Sequence, residues 1–407
     1  MKVLHIQYGM TQAGNAVYRL HEAMFARGID SHCMVLSGQG SGNKVVGLGE
    51  KWTHKVVRAG IQHIVSMWNL RRLENNSRYY RDWPVWGRGA TNHPLVKDAD
   101  VIYLHWIANG ISVKEVRSIL SMGKPVLVFL HDMWMITGGC NSSFGCNQYM
   151  TGCRDCPMFS RGATIAMRHI RKTMDMFKPY RNVQFIAPSK WMKECALHSM
   201  VSHEHVIHHI PNLIDDMVFK PIDKKIARSI LNLPQDKIII TFGCQSGVHN
   251  EIKGWKYLRD ALNMLPYTKD RVELVIYGSN RDEEVERNVK YPVRFIGSVS
   301  DEHKLVLICN ASSLFVSPSL SESFGMTLLE NILCNTPVVS FDNTAIPETV
   351  KTGLNGYLAA NKSTEDLAKG MEWTLSHYPE NVRSSCGYSS SKVLDLHQAL
   401  LNELFYS

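Results

Sequence analysis

The chain reads as an α/β protein made of two doubly wound, Rossmann-like halves. Three features predict this. Short apolar runs rich in Val, Ile and Leu recur along the chain, each followed by a loop and then a helical pattern. The series restarts after a polar connection that begins at Ile210-Pro211-Asn212-Leu213 and runs to Pro221. Several of the runs end on residues able to do chemistry, as ligand-binding strands of open α/β sheets do at their carboxyl ends. In order, residues 2–7 form a buried strand, a loop with Gly9 and Gly14 follows, and residues 16–27 are helical until Gly28 stops them. Residues 32–37 make the next strand, residues 51–92 read as mostly helical and irregular, and strands follow at 101–105, 125–131 and 183–188. The second series has strands at 237–243, 273–278, 293–296, 314–317 and 338–341. A final helix over 388–405, apolar at Val393, Leu396, Leu400 and Leu404, is expected to pack across a domain. The expected division is 1–212, 213–385 and a terminal helix over 386–407.

Composition is that of an ordinary globular protein: 407 residues, 44% hydrophobic and 20% charged. No run reaches the roughly 18 apolar residues of a membrane span. The stretch Met1-Lys2-Val3-Leu4-His5-Ile6 is too short for a signal peptide, so the ten cysteines are expected in a reducing cytosol.

The net charge of +8 is unevenly spread. Residues 1–212 carry 25 Lys and Arg against 13 Asp and Glu, and the remainder carries 20 against 24. One basic stretch (Lys51, Lys55, Arg58, Arg71, Arg72, Arg78, Arg81, Arg88) is interleaved with Trp52, Trp68, Tyr79, Tyr80, Trp83 and Trp86. Another holds Arg161, Arg168, Arg171, Lys172, Lys178, Arg181, Lys190 and Lys193. This suits an anionic membrane surface or a lipid-phosphate acceptor, and equally a solvated basic face. No nucleic-acid-binding motif accompanies the charge, so nucleic acid is not an expected partner.

The most informative string is Ser317-Pro318-Ser319-Leu320-Ser321-Glu322-Ser323-Phe324-Gly325-Met326-Thr327-Leu328-Leu329-Glu330. It reads as strand, loop and helix, the helical pattern starting near Ser323. Glu322 lies in the loop, Glu330 on the helix, and the amides between them can hold an anion. A sugar nucleotide needs all three: hydroxyls gripped at each end and a diphosphate between. A helix that merely carries an acid near its positive end would look the same at these two positions. The whole string resembles the signature of retaining GT-B glycosyltransferases of family 4. That resemblance implies two Rossmann-like domains facing a central cleft and a nucleotide-sugar donor, a UDP- or GDP-sugar. It places Glu330 on the ribose, Glu322 on the donor sugar, and Ser323, Phe324, Gly325, Met326 and Thr327 around the phosphates.

Lys253-Gly254 starts a helical pattern beyond the 237–243 strand. A lysine so placed can pair with phosphate, or it can be a surface lysine. The same resemblance implies the phosphate role. Many family members add an arginine just upstream, whereas residues 244–252 here hold none, leaving Gln245, His249 and backbone amides as donors. His131-Asp132 ends a strand; a histidine there is either buried against backbone or, as the resemblance implies, a contact of the donor sugar near the reacting carbon. His105 ends the preceding strand and is a weaker candidate of the same kind. Gly14 resembles the family's first glycine loop, against donor phosphate and acceptor. Gly38-Gln39-Gly40-Ser41-Gly42 lacks dinucleotide spacing and reads as a turn. Asp98-Ala99-Asp100 precedes its strand, at the wrong end of a sheet for a metal motif.

Cys140, Cys146, Cys153 and Cys156 lie in one loop. Four thiolates make a tetrahedral zinc site, but only the last pair has typical ligand spacing, so structural zinc, disulfides and free thiols all remain open. The string from His131 to Pro157 is similar to a subgroup of family 4 that acts in bacterial exopolysaccharide assembly, including colanic-acid-type transferases. The resemblance therefore implies transfer with retention to a glycan or polyprenyl-diphosphate-linked acceptor. No catalytic metal is required, and the location is cytoplasmic, peripheral at the inner face of the membrane. A nucleotide-sugar epimerase on the same architecture and a catalytically silent binding subunit are the alternatives.

Overall fold

The structure is a computed structural model that describes residues 1–9, 15–49, 60, 79–159, 164–245, 247–379 and 382–406. Gly14, Lys51, Trp52, Lys55, Arg58, Trp68, Arg71, Arg72, Arg78 and Arg161 lie outside the described residues, and so does most of the 51–92 segment.

The chain divides into two compact units. The first takes residues 15–213, the first strand and residues 391–407; the second takes residues 214–390. In the first unit the strands are β1 (Lys2–Gln7), β2 (Asp30–Val35), β3 (Val45–Gly47), β4 (Val101–Leu104), β5 (Val126–Phe129), β6 (Val183–Ala187) and β7 (Ile207–His209). The helices are α1 (Ala16–Ala26), α2 (Pro94–Asp98), α3 (Val113–Leu120), α4 (Thr164–Phe177) and α5 (Lys190–His198). Among the described residues the unit's seven strands are all parallel, in the order β3-β2-β1-β4-β5-β6-β7. The chain winds outward one way from β1 and the other way from β4, so the switch point falls between those two strands.

The second unit repeats the plan. Its strands are β8 (Ile238–Gly243), β9 (Val272–Tyr277), β10 (Val293–Gly297), β11 (Leu314–Ser317), β12 (Val338–Phe341) and β13 (Gly356–Ala359). Between them run α6 (Lys224–Ile230), α7 (Trp255–Met264), α8 (Glu283–Asn288), α9 (Glu302–Ala311), α10 (Met326–Leu333), α11 (Ile346–Thr349) and α12 (Thr364–Ser376). The order β10-β9-β8-β11-β12-β13 is again all parallel, with the switch between β8 and β11. Parallel strands are covered on both faces, and their residues follow suit: β9 and β11 are buried at every position. Side-chain caps start several of the helices. Asn15 accepts from the amides of Val17 and Tyr18, and Ser112 with Glu115 forms a reciprocal capping box on α3.

Three strands were not evident in the sequence. β3 and β7 are three residues long. β13 starts inside the glycine-rich 353–358 segment. Its Gly356 is required by packing, because a Cβ there would stand 1.8 Å from the Val338 carbonyl oxygen of β12.

The last helix, α13 (Ser390–Tyr406), buries Val393, Leu394, His397, Leu400 and Leu401 in the first unit. Leu396, expected on that face, is 47% exposed, and the wholly buried His397 takes the place on the inner stripe. Its Nδ1 hydrogen-bonds the Tyr103 hydroxyl of β4 at 3.2 Å.

Candidate active site

In the second unit the candidate residues gather at the carboxyl ends of β8 and β11, the two strands that flank the switch. After β8 a loop leads to a 3₁₀ turn at Glu251–Lys253, and Gly254 then turns the chain into α7 with φ 69°. Lys253 therefore ends the turn and does not open the helix, as its spacing had suggested. Gly254 has no room for a side chain: a Cβ would stand 1.9 Å from the Pro318 carbonyl oxygen beyond β11. The two loops are joined directly, the Leu320 amide donating to the Ile252 carbonyl at 2.7 Å. Gly254→Ala is accordingly expected to cost at least about 2 kcal/mol, combining left-handed backbone strain with a backbone clash. Gly353→Ala, at φ 84° with nothing within 4 Å, should cost about 1 kcal/mol. Denaturant midpoints of the two variants check the difference.

This apposition brings Lys253 to Glu322. The ammonium donates to Glu322 Oε1 at 2.7 Å, with the two side chains 22% and 16% exposed. Glu322 is held from below. Its amide donates to Thr344 Oγ1 at 3.0 Å, and its carbonyl accepts from the Ala345 amide at 3.3 Å. Asn343 and Thr344 thus position the loop, the Asn343 side chain also donating to the Ser319 carbonyl at 3.0 Å. Nothing in the sequence signalled those two residues, since their part is to brace a backbone and to occupy a turn, with Thr344 at φ 46°.

Helix α10 begins at Met326, capped by Gly325 at φ 83°, three residues later than expected. Glu330 is its fifth residue, so about 6 Å of helical rise separates it from Met326. The amides of Met326 and Thr327 have no intrahelical acceptor and carry the positive end of the helix dipole. Phe324 packs into the core, Ser323 precedes it in the loop, and Glu330 is 1% exposed. Tyr277 of β9 lies beneath; burial, then the neighbouring Cys309 and Glu330, keep its hydroxyl protonated far above the usual range. His249 pairs with Asp282 at 2.8 Å, and no arginine stands in the 244–252 loop.

The first unit holds a separate cluster. His131 and His105 sit just beyond the carboxyl ends of β5 and β4, and His5 lies inside β1. His105 Nδ1 hydrogen-bonds His131 Nε2 at 2.8 Å, and His105 Nε2 hydrogen-bonds His5 Nδ1 at 3.0 Å. Burial pushes His131 down to about 4 and His397 to about 3. It drives His5 and His105 well below the ordinary imidazole range, helped by their neighbouring histidines. Asp132 is raised to about 6 by burial, against opposing hydrogen bonds from Trp134 and Trp106. Sequence reasoning had not found His5 or His397; a histidine within an otherwise apolar strand or helix stripe was the available signal.

Cys140, Cys146, Cys153 and Cys156 are free thiols. Burial, then mutual repulsion, raises Cys153 to about 12, which puts the four in one neighbourhood. Among the described residues no three His, Cys, Asp or Glu side chains are arranged to hold a metal ion. His208 and His209 are half-buried in β7. Among the described residues no helix is long and apolar enough to cross a membrane.

Two parallel-sheet, Rossmann-like units of this kind define the GT-B fold. Residues 223–392 match the family model described as glycosyl transferases group 1. Among solved structures the chain resembles sucrose-phosphate synthase from Thermosynechococcus elongatus (TM-score 0.69, 16% identity, covering 100% of this chain and 99% of that one). It also resembles Anabaena HepE solved with UDP and glucose (0.65, 16%, 99% of each). WaaG, a glycosyltransferase involved in lipopolysaccharide biosynthesis, is a third (0.64, 17%, 97% and 99%). These likenesses define the fold. In sequence, the D-inositol 3-phosphate glycosyltransferase of Stackebrandtia nassauensis is 27% identical over 192 residues, 44% of this chain and 42% of that protein. The enzyme of the same name from Mycolicibacterium paratuberculosis is 29% identical over 173 residues, 40% and 37%. The chain thus spans about two fifths of the length of the curated relatives it matches.

Proposed function

We propose that this chain is a retaining glycosyltransferase that moves a sugar from a UDP- or GDP-sugar to a glycan or polyprenyl-diphosphate-linked acceptor in bacterial exopolysaccharide or lipopolysaccharide synthesis. One observation carries the reading. At the β8/β11 switch a cation, Lys253, and a carboxylate, Glu322, meet beside the open amides of α10, with a second carboxylate, Glu330, one turn further in. The diphosphate takes Lys253 and the amides of Met326 and Thr327, the ribose takes Glu330, and the sugar hydroxyls take Glu322. As the sugar leaves, negative charge grows on the diphosphate, and fixed charges already aimed at it lower the barrier without reorganising. That stabilisation needs no catalytic metal. The acceptor attacks from the face the diphosphate leaves, with no covalent nucleophile. His131 contacts the donor sugar, as the family 4 resemblance implies. Support comes from the family match over the second unit and from fold neighbours solved with UDP and sugars.

Incubating the chain with UDP- and GDP-sugars, with and without saccharide acceptors, tests this. The expected product keeps the donor's anomeric configuration and forms only with acceptor. An altered sugar nucleotide from donor alone would mean an epimerase, and tight donor binding without turnover would mean a silent subunit.

A further inference from the structure

The three histidines of the first unit form one hydrogen-bonded line across adjacent strands: His5 in β1, His105 after β4, His131 after β5. The rings are stacked as well as bonded, His5 on His105 with centroids 5.2 Å apart and His105 on His131 at 5.0 Å. Phe129 lies flat against His131, its ring at 4.5 Å and 7°. Packing therefore fixes the ring planes.

Proton counting then restricts the line to two states. A neutral imidazole carries one N–H and one bare nitrogen. Each link needs one donor and one acceptor, and His105 takes part in both links, so it donates in one and accepts in the other. If His5 donates from Nδ1, His105 must donate from Nδ1 to His131 Nε2, and the His131 proton is on Nδ1. If His131 donates from Nε2 instead, His105 donates from Nε2 to His5 Nδ1, and the His5 proton is left on Nε2. The rings cannot choose independently.

The far end selects between the two states. His5 Nε2 is fully buried and has no hydrogen-bond partner among the described residues. The second state would put an N–H at that nitrogen with no acceptor, an arrangement folded proteins rarely tolerate. The first leaves only a bare nitrogen there. With no hydrogen-bond partner at that nitrogen among the described residues, the line ends there, so it holds a proton position and does not conduct.

We infer that His105 and His5 are positioning residues that fix His131 as a neutral imidazole with its proton on Nδ1, so that it donates from that nitrogen and does not act as a base. The depressed basicity that burial gives all three rings agrees with this neutrality. A donor at Nδ1 suits a sugar hydroxyl or ring oxygen. That consequence rests on the proposed contact between His131 and the donor sugar; the proton position does not.

Nitrogen-15 NMR of the histidine-labelled chain reads the tautomers directly. The expected spectrum shows protonated Nδ1 and bare Nε2 for His5, His105 and His131 alike. A proton on His131 Nε2, or a mixture in the wild type, overturns the inference. In His5→Phe, which keeps a ring in the strand, His105 loses its donor. His131 should then populate both tautomers, with kcat for transfer falling several-fold and KM for the donor little changed. An unchanged His131 tautomer in folded His5→Phe would also overturn it. If that variant does not fold, the wild-type spectrum decides alone. If the wild type shows the expected tautomer but His131→Phe transfers normally, the sugar-contact reading fails while the positioning inference stands.

Discussion

Replacing Lys253 by alanine is expected to lower kcat/KM for glycosyl transfer by about 10²–10³-fold, the usual cost of removing one preorganised donor to a developing anion. The effect should exceed any loss of stability. Lys253 is partly exposed at the end of a 3₁₀ turn and pairs with the Glu322 carboxylate, so its removal leaves the β8 and β11 loops joined through Leu320 and Ile252. Glu330→Ala should act at a similar scale through the ribose. The partner exchange in this site makes a sharper prediction. Without ligand, Lys253 is neutralised by Glu322, so a diphosphate must compete with that carboxylate for the same ammonium. Glu322→Gln removes the competitor. It is expected to tighten binding of UDP or GDP several-fold, while transfer falls because the sugar loses its acceptor. Calorimetric titration of the nucleoside diphosphates, set beside steady-state kinetics, checks both signs. Equal kinetics for wild type and Lys253→Ala would remove the lysine from the mechanism.

Acid should unfold the first unit before the second. His5, His105, His131 and His397 are buried in neutral form, with His131 at about 4 and His397 at about 3 against about 6.5 when unfolded. A depressed folded value means that the unfolded chain binds the protons first. The stabilisation is whole above pH 6.5 and drains as pH falls from there toward 4. Each histidine contributes up to about 1.4 kcal/mol per pH unit, so four lose on the order of 4 kcal/mol between pH 6.5 and 5.5. Asp132, raised to about 6, works in the opposite sense and offsets part of this as it takes up a proton in the folded state. The remainder is a large share of a typical domain's 5–15 kcal/mol. Hydrogen exchange at pH 7 and 5.5, corrected for intrinsic rates, should show β1, β4 and β5 losing protection while β8, β9 and β11 keep theirs. Equal loss in both sheets would contradict the account.

The sheet plan was legible because parallel strands buried on both faces are written as continuous apolar runs. Elements of three or four residues with glycine or histidine in them, β3, β7 and β13, carry no such run. Glu322, Lys253 and Glu330 were legible through spacing and motif. Their pairing was not, because it depends on Gly254 pressing against Pro318, a contact between segments 64 residues apart in sequence. Helix α10 starts later than its pattern suggested because Gly325 takes a left-handed conformation and Phe324 turns into the core. The histidine line was half legible. His131 and His105 end strands, as functional residues do, whereas His5 and His397 sit where an apolar residue is expected, and only the fold shows what they face.

The most direct test is a crystal structure of the chain with UDP or GDP bound. The account predicts the diphosphate on Lys253 and the amides of Met326 and Thr327, the ribose hydroxyls on Glu330, and the Lys253–Glu322 pair opened. A nucleotide bound elsewhere, with that ion pair intact, would contradict it.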